Sequence, residues 1–233
     1  MSENTNRPVV LITGATRGIG RAIAHNLHPT HDLILAGRDQ QALDALAREL
    51  PGSCTIAADL TDETALSAAL EDLSLPNGLN GLVHSAGILV SGRLEDLPAQ
   101  EWTRSFAVNV VAVAALTRAL LPALRTARGT IVTINSGSGW NSGPGGGAYS
   151  ASKFALRALT DALREEEREH GVRVSSVHPG RVDTDMQHEL RAYEKGEYEA
   201  ERYLRPESVA GAVRFALDAP DEAGIDVISV RPR

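Results

Sequence analysis

The sequence lacks the features that would place the chain outside a reducing, aqueous compartment. Cys54 is the only cysteine among 233 residues, so no disulfide can form within the chain, and we interpret it as a bystander thiol. Residues 1–7 are polar and have no apolar stretch of the kind found in secretory signals. The longest apolar stretches, such as residues 108–116, are interrupted by Asn109 and bounded by Arg118, and none approaches the roughly 20 residues of a membrane-spanning helix. We therefore expect a cytoplasmic protein with no membrane segment.

The sequence also lacks clusters of positive charge. Its 23 lysines and arginines are scattered and are outnumbered by 30 acidic residues, which gives a net charge of −7. An acidic protein without a basic run is unsuited to binding a phosphate backbone, so we expect no nucleic-acid partner. Hydrophobic residues make up 42% and charged residues 23% of the chain, which is typical of an ordinary globular protein.

Short apolar runs alternate with longer amphipathic segments from one end of the chain to the other. The predicted strands are residues 8–13, 33–36, 54–58, 81–84, 130–134, 172–177 and 225–230. The predicted helices are residues 19–27, 43–50, 61–73, 98–125 (one or two helices), 148–170 and 206–217. This alternation predicts an α/β fold, a Rossmann-like doubly wound parallel sheet of about seven strands with helices on both faces. The length suits one domain better than two, so we predict a single domain over residues 1–233.

The turn after the first predicted strand is rich in glycine. Residues 13–20 read Thr-Gly-Ala-Thr-Arg-Gly-Ile-Gly and lie between a strand and a helix. Glycines allow a tight turn and let the backbone approach a ligand, while the free N–H groups of the helix terminus attract an anion. In doubly wound sheets, ligands bind outside the carboxyl ends of the strands. The turn therefore predicts a dinucleotide site with the diphosphate against the start of the helix.

The spacing of this turn and several later motifs resemble the short-chain dehydrogenase/reductase family. The family's Thr-Gly-x3-Gly-x-Gly motif matches residues 13–20, and its Tyr-x3-Lys motif matches residues 149–153. Residues 84–87 keep the Ala-Gly of the family's Asn-Asn-Ala-Gly motif but replace both asparagines, and residues 179–184 match its Pro-Gly-x3-Thr motif. The resemblance covers nearly the whole chain. It implies an oxidoreductase that moves a hydride between a nicotinamide dinucleotide and a carbonyl or alcohol carbon of a small molecule.

The resemblance also assigns residues to the cofactor. It places the carboxylate of Asp59 at the adenine, and the backbone near Val182 and the hydroxyl of Thr184 at the nicotinamide. The residues assigned to the cofactor are Gly14, Thr16, Arg17, Gly18, Ile19, Gly20, Arg38, Asp59, Leu60, Ala86, Gly87, Tyr149, Lys153, Pro179, Gly180, Val182 and Thr184. The cofactor half covers about residues 8–135 and the catalytic and substrate half about residues 136–233. No residue is assigned to a metal, and we interpret His84 as a core histidine satisfied by the backbone rather than as a base.

Two arginines predict a preference for NADP(H). In this architecture an acidic residue about 20 positions beyond the glycine turn selects NAD, whereas an arginine there accommodates the 2′-phosphate of NADP. That position holds Arg38, and the adjacent Asp39 is better interpreted as the N-cap of the next helix. Arg17, inside the turn, resembles a second basic residue of NADP-preferring family members and could reach the same phosphate.

The predicted catalytic residues are Asn109, Ser136, Tyr149 and Lys153. Reduction of a ketone places negative charge on its oxygen, so a proton donor and a hydrogen-bond donor must already be in place. A phenol has a pKa of about 10, and a neighbouring ammonium lowers that pKa. We interpret Tyr149 as the proton donor or acceptor and Lys153 as its activator; by resemblance, Lys153 also binds the nicotinamide ribose. By resemblance, Ser136 orients the substrate oxygen, with Ser138 as the less favoured alternative, and Asn109 positions a water relay.

The substrate side of the sequence is less specific. Residues 136–147 contain six glycines, and Trp140 within them either lines the pocket or caps the core. Residues 185–205 are amphipathic, heavily charged and hold three of the four tyrosines. Their position corresponds to the family's substrate lid, and the alternative is a solvated pair of surface helices.

Three functions stay open, together with an oligomeric state. The first is a carbonyl reductase or alcohol dehydrogenase for a small molecule. The second is a 3-oxoacyl-carrier-protein reductase, although the three glutamates at residues 165–167 would repel an acidic partner. The third is a non-catalytic dinucleotide sensor, which would have no use for Ser136, Tyr149 and Lys153 together. By resemblance, the helices at residues 102–125 and 148–170 would pack across a two-fold axis, so we expect a homodimer or homotetramer.

Overall fold

The computed structural model describes residues 7–233 as strands and helices in near-regular alternation. The strands are β1 (Val9–Thr13), β2 (Asp32–Gly37), β3 (Cys54–Ala57), β4 (Gly81–His84), β5 (Thr130–Ile134), β6 (Arg173–Pro179) and β7 (Val227–Val230). The helices are α1 (Gly18–Leu27), α2 (Gln40–Glu49), α3 (Glu63–Glu71), α4 (Ala99–Phe106), α5 (Ala112–Ala127), α6 (Gly147–Glu167), α7 (Asp185–Tyr193) and α8 (Pro206–Leu217). The polar segment predicted at the N-terminus lies outside the described residues, apart from Arg7.

All seven strands form one parallel sheet in the order β3-β2-β1-β4-β5-β6-β7. This confirms the predicted doubly wound sheet. The strand order reverses at β1, which pairs with β2 on one side and with β4 on the other. The carboxyl ends of β1 and β4 are therefore neighbours at the switch point, where such sheets bind their ligands.

Helices cover both faces of the sheet because alternate residues of each strand are apolar on opposite sides. In β1, Ile12 packs with Ile23 of α1 and Val213 of α8 on one face. Leu11, the preceding residue, packs with Leu124 of α5 on the other face. Both faces are thus buried, as the continuous apolar strand sequences predict.

The helical segment that holds Asn109 differs from the prediction. α4 and α5 are joined by a five-residue π-helical segment, Ala107–Val111, so that Ala99–Ala127 is one continuous helix of 29 residues. By length, and by the mean hydropathy of 1.8 of an 18-residue window within it, this helix passes the criteria for a membrane span. The expectation that no segment comes near this length was wrong, because Asn109 and Arg118 alone do not offset the apolar residues around them. Core helices of soluble proteins meet the same criteria.

The region assigned as a lid begins with a regular helix. α7 starts directly after Thr184, and the 3₁₀ turn Ala200–Arg202 follows it before α8 begins at Pro206. A parallel bridge between Val182 and Leu204 ties the two ends of this region together. Residues 185–205 therefore form an excursion that begins just after β6 and ends beside its own starting point, where Leu204 pairs with Val182.

Candidate active site

The glycine turn is held against the loop after β4 by close backbone contact. Gly14 has a φ of +64°, and a β-carbon there would lie 2.9 Å from the backbone of Ala86. A β-carbon on Gly20 would lie 2.2 Å from the carbonyl oxygen of Gly14. Arg17 precedes α1 as its N-cap without a capping side-chain hydrogen bond. The first N–H groups of α1 are therefore open to an anion, which is the arrangement that a diphosphate requires.

Thr13 joins the turn to the neighbouring loop, and the sequence analysis missed this role. Its Oγ1 accepts hydrogen bonds from the backbone N–H groups of Ser85 and Ala86, each at 3.1 Å. The threonine before the glycine turn was the available signal, but inside an apolar run it was taken for a core residue. Its hydroxyl holds two backbone groups of residues 84–87, where the family's two asparagines are replaced.

His84 lies in the core, as expected, but its partner is a side chain. The imidazole is buried, and its Nε2 is 2.9 Å from Oγ1 of Thr117. Burial lowers the pKa of His84 to about 3, so the ring is neutral at physiological pH. This environment gives His84 no path to a substrate, which supports the structural interpretation over the catalytic one.

The carboxyl ends of β2 and β3 carry the residues assigned to the adenosine. Arg38 is exposed directly after β2, and Asp39 caps α2 by accepting a backbone N–H at 3.1 Å, as predicted. Asp59 accepts hydrogen bonds from the N–H and the hydroxyl of Thr61, at 2.9 and 2.7 Å. These bonds, together with the nearby charge of Arg38, lower the pKa of Asp59. Leu60 turns its side chain toward the core instead.

Arg17, one of the two predicted phosphate-binding arginines, is paired with an acidic side chain. Its Nη1 lies 3.4 Å from Oδ2 of Asp185 at the start of α7. Both side chains of this ion pair are about two-thirds exposed, at 69% and 68%. Exposed pairs of this kind contribute about 0–1 kcal/mol, so Arg17 can exchange this partner at little cost.

The predicted catalytic residues meet at the carboxyl end of β5. α6 begins at Gly147, which places Tyr149 and Lys153 one turn apart on the face toward β5. The side chain of Ser136 lies near the hydroxyl of Tyr149 and acts to lower its pKa. Ser138 contributes only its backbone N–H, which donates to Oγ of Ser136 at 3.1 Å. The structure therefore favours Ser136 over Ser138 as the serine beside Tyr149.

Burial moves the pKa values of Tyr149 and Lys153 in opposite directions. Burial lowers the pKa of Lys153 to about 8, and its Nζ donates to the carbonyl of Ile134 at 2.9 Å. Burial raises the pKa of Tyr149, and the side chain of Ser136 offsets only part of that rise. We expected the ammonium of Lys153 to lower the pKa of Tyr149. Its Nζ lies 5.7 Å from the centre of the phenol ring, and the loss of solvent is the largest influence on that pKa.

Asn109 supports this group from the π-helical segment. It is buried, and its Nδ2 donates to the carbonyl of Ile88 and to Oγ of Ser152, both at 3.0 Å. Its Oδ1 accepts the N–H of Ile88 at 2.9 Å and would be 3.3 Å from a β-carbon on Gly87. Both amide hydrogens are thus used, and a lone pair of Oδ1 is the remaining site for a water.

The segment after β6 closes the site on the side of the glycine turn. The N–H of Gly180 donates to the carbonyl of Val230 at 2.7 Å, which fixes the end of β6 beside β7. Thr184 donates its hydroxyl to the carbonyl of Val182 at 3.2 Å. Its methyl group would lie 3.3 Å from a β-carbon on Gly18. The residues assigned to the nicotinamide therefore face the glycine turn.

A cavity of about 430 Å³ opens between these elements and the lid region. Its walls include Ile19, Ser136, Tyr149, Val182, Tyr193 and Arg231. Trp140 is not among them: its ring packs 4.9 Å from that of His178 and lies under the guanidinium of Arg157 at 4.4 Å. Of the two interpretations of Trp140, the structure supports packing beside the core. Sequence analysis missed Arg231 as a wall residue, since no sequence pattern distinguishes Arg231 from Arg233 two residues later.

The profile of the family described as short chain dehydrogenase matches residues 8–195. That match covers most of the chain and includes the glycine turn and the Tyr149–Lys153 pair. The chain belongs to the short-chain dehydrogenase/reductase family. The predicted family is thereby confirmed, and the protein is an oxidoreductase of this family.

Several relatives of this short-chain dehydrogenase/reductase match over nearly its full length. An uncharacterised oxidoreductase of Staphylococcus epidermidis is 30% identical over 228 residues, which is 96% of each chain. An alcohol dehydrogenase of Thermococcus sibiricus, solved in complex with 5-hydroxy-NADP, is 29% identical with a TM-score of 0.85, covering 97% of each chain. A metagenomic short-chain oxidoreductase in complex with NADP is 33% identical with a TM-score of 0.81, again covering 97% of each chain. These similarities support binding of a nicotinamide dinucleotide by this chain.

Among residues 7–233, no group of three or more His, Cys, Asp or Glu side chains is placed to hold a metal ion. The polar groups that the site does contain are donors and acceptors for organic ligands: hydroxyls, an ammonium, an amide and backbone N–H groups. The dinucleotide is therefore the group that the described residues fit.

Proposed function

We propose that this chain is an NADP(H)-dependent dehydrogenase/reductase that interconverts a carbonyl and a secondary alcohol of a small molecule. The observation that carries the proposal is that Ser136 and Tyr149 line one cavity, with the buried Lys153 one helical turn from Tyr149. These groups line or adjoin a cavity that also borders the glycine turn through Ile19. A proton donor, a hydrogen-bond donor and a dinucleotide site therefore share one edge of the sheet.

When bound, the nicotinamide supplies or accepts the hydride. Ser136 and Tyr149 hold the substrate oxygen, and Tyr149 gives its phenolic proton to that oxygen during reduction and takes it back during oxidation. Because burial raises the pKa of Tyr149, the phenol is protonated at neutral pH, which suits the reductive direction. Lys153 keeps one N–H on the carbonyl of Ile134 and has two left for the ribose and for water. The spare lone pair of Asn109 holds that water, and the proton lost by Tyr149 is replaced through it.

The preference for NADP(H) rests on Arg38 and, after a rearrangement, on Arg17. Arg38 is exposed at the end of β2, beside the carboxylate of Asp59, and is free to meet a 2′-phosphate. Arg17 would leave Asp185 for the phosphate, because a dianion offers a stronger charge-assisted bond than an exposed carboxylate. Each such bond contributes roughly 1.5–3 kcal/mol, which implies a preference of about tenfold or more over NAD(H).

The first test is Tyr149→Phe, which removes only the acid–base hydroxyl. We expect turnover to fall by roughly 10²- to 10⁴-fold, while the Kd for NADPH changes little. The measurement is NADPH oxidation across a panel of ketones and aldehydes, with fluorescence titration of NADPH as the control for folding. A variant that keeps most of the original rate would refute the assignment of Tyr149.

The second test compares the Kd for NADPH and NADH in the unchanged protein, in Arg17→Ala/Arg38→Asp and in Arg48→Asp. Arg48 is exposed at the opposite end of α2, so its replacement changes the net charge as Arg38→Asp does but leaves the proposed phosphate site intact. We expect the double change to reverse or erase the preference and Arg48→Asp to leave it. Equal affinities in the unchanged protein would overturn the assignment of both arginines.

We further propose a soluble, cytoplasmic homodimer or homotetramer. Val111 in the π-helical segment is 58% exposed and Phe154 in α6 is 37% exposed, although both are large and apolar. A second copy packed on these helices would cover them. Light scattering at micromolar concentration tests this, and a monomer of the chain's mass would refute it.

A further inference from the structure

The end of β7 brings an arginine to the wall of the cavity. β7 pairs with β6 up to Pro179 and Val230, so Arg231 emerges beside Gly180 at the carboxyl edge of the sheet. A β-carbon on Gly137 would lie 2.5 Å from Nη1 of Arg231. Since Gly137 follows Ser136, the guanidinium lies against the loop that presents the catalytic hydroxyl. Arg231 and Ser136 are both wall residues of the same cavity.

Arg231 differs from the other charged residues of this wall in having no acidic partner. Arg181 forms a bidentate pair with Glu194 at 3.0 and 2.6 Å. Arg191 donates to the same carboxylate at 2.6 Å, so Glu194 is fully neutralised. Among residues 7–233, no carboxylate lies within ion-pair distance of Arg231. The positive charge of Arg231 also acts on the buried His178. Burial is the main cause of the lowered pKa of His178, and Arg231 is one of the charged groups that lower it further.

The charge of the wall is opposite to that of the molecule. The charged side chains of the wall are those of Arg181, Arg231 and Glu194, with a net charge of +1. The whole chain has a net charge of −7. A cleft whose charge is opposite in sign to that of the whole protein attracts ligands of charge opposite to that of the cleft, here anions. Arg231 is exposed and also part of this wall, so its guanidinium is accessible to an anion that enters the cavity.

We propose that Arg231 binds a carboxylate of the substrate, so that the small molecules turned over are oxo acids and hydroxy acids. The planar guanidinium matches a carboxylate by two parallel N–H···O bonds, while Ser136 and Tyr149 hold the carbonyl oxygen at the reacting carbon. Arg231 then sets specificity and takes no part in proton transfer. This inference rests on the proposed oxidoreductase site and deepens it by naming the substrate class.

The test uses matched substrates that differ only in charge. Initial rates of NADPH oxidation are measured with a short 3-oxo acid and with its methyl ester, in the unchanged protein, in Arg231→Met and in Arg233→Met. Arg233 is a second exposed arginine two residues further on and serves as the control for a lost surface charge. We expect kcat/KM for the acid to exceed that for the ester by about tenfold or more in the unchanged protein. Arg231→Met should raise KM for the acid by about the same factor and leave the ester's kcat/KM nearly unchanged, and Arg233→Met should change neither.

A binding experiment separates the failure of this inference from the failure of the proposed function. The fluorescence of enzyme-bound NADPH is titrated with butyrate and with butyramide, in the unchanged protein and in Arg231→Met. Tighter binding of butyrate that Arg231→Met abolishes supports the carboxylate site even if no carbonyl compound is turned over, and then only the proposed activity fails. Turnover of ketones with equal kcat/KM for acid and ester overturns the carboxylate site alone. Equal losses for acid and ester in Arg231→Met would show a structural role and would also overturn it.

Discussion

The glycine turn and the lid region, residues 185–205, meet across the cavity, but they are held in place by different interactions. In the turn, Gly14 and Gly20 allow backbone to pack on backbone, and the buried hydroxyl of Thr13 ties two N–H groups of the next loop. In the lid region, a backbone bridge between Val182 and Leu204 joins the two ends, and side chains nearer the surface make further contacts. The ring of His188 stacks on that of Tyr198 with centres 3.5 Å apart, and the hydroxyl of Tyr198 donates to Asp183.

This difference separates a rigid element from an adjustable one. A close backbone contact has no alternative partner, so any added atom must displace the loop after β4. An exposed ion pair or ring stack can exchange its partner for water or for a ligand at about 1 kcal/mol or less. The cofactor end is therefore fixed before a ligand arrives, whereas the lid region can rearrange around a substrate. The predictions below test the two ends, beginning with the largest expected effect.

Gly14→Ala should have the largest effect, because it places a β-carbon 2.9 Å from the backbone of Ala86 at a φ of +64°. We expect NADPH binding to weaken by about 100-fold or more and the thermal unfolding temperature to fall, since the turn cannot move without the loop after β4. Gly211→Ala is the matched control. A β-carbon there meets no atom within 4 Å, and the site lies inside α8, so that change should be neutral or slightly stabilising. Retained affinity in Gly14→Ala would show that the turn is as adjustable as the lid region.

Lys153→Met should have opposite effects on turnover and on the stability of the fold. Its pKa of about 8, against the ordinary 10.5, means that the fold binds the proton more weakly than the unfolded chain does. Folding is penalised below pH 8, and the penalty disappears as the pH rises from 8 toward 10.5. Methionine is neutral, so the variant avoids the cost of burying the ammonium, which is about 3 kcal/mol at pH 7. The loss of the hydrogen bond to the carbonyl of Ile134 offsets about 1–3 kcal/mol of this gain in stability.

We therefore expect Lys153→Met to lose turnover by about 100-fold or more while unfolding at the same or a higher temperature at pH 7. Thermal unfolding at pH 7 and at pH 10 measures the difference, and any gain in stability should shrink at the higher pH. A variant that is less stable at pH 7, or whose relative stability increases with pH, would show that the lysine contributes more to the fold than to the reaction.

His84→Asn should reduce the sensitivity of the fold to acid. The pKa of His84 is about 3 in the fold against 6.5 for the free side chain. Below pH 6.5 the unfolded chain gains a proton that the fold cannot bind, so the stability present above pH 6.5 is lost as the pH falls toward 3. At pH 5 the loss amounts to about 2 kcal/mol relative to pH 8. Urea unfolding at both values should show a smaller pH dependence in His84→Asn and an unchanged one in the exposed control, His25→Asn. Parallel curves for all three proteins would mean that His84 is not sealed from water.

The rigid end is also the end that could be predicted from the sequence. Every strand was found because each is a short apolar run, and the glycine turn because a specific spacing follows the first strand. Tyr149 and Lys153 were found because their spacing on one helix is itself the signal. The direction of the Tyr149 pKa shift could not be predicted from the sequence, because the extent of burial depends on chain segments distant in the sequence.

The adjustable end could not be predicted in the same way. The charges of residues 185–205 are compatible with a substrate lid and with a solvated pair of surface helices, and no pattern in them predicts the stack of His188 on Tyr198. Arg231 looks like any surface arginine until the sheet brings it beside Gly137. We expected the three glutamates at residues 165–167 to repel an acidic partner, but Glu167 is buried and forms a bidentate pair with Arg125 at 2.8 and 2.7 Å.

Tyr198→Phe should have the smallest effect and tests the lid region directly. The change keeps the ring that stacks on His188 and removes only the hydroxyl that donates to Asp183. That bond and burial together raise the pKa of Tyr198, so the hydroxyl is a donor throughout the physiological range. A single hydrogen bond at a partly exposed site contributes about 1 kcal/mol, and water replaces it when the lid region moves. We expect the unfolding free energy to change by about 1 kcal/mol or less. If residues 185–205 act as the proposed lid, they would contact the substrate away from the reacting bond, so KM should rise by about two- to fivefold with kcat little changed.

Tyr198→Ala, which removes the stack as well, is the graded comparison and should raise KM further while leaving the Kd for NADPH unchanged, since the glycine turn stays intact. If Tyr198→Phe instead lowered kcat or cofactor affinity as strongly as Gly14→Ala, the lid region would be part of the rigid framework, and the contrast between the two ends of the cavity would be wrong.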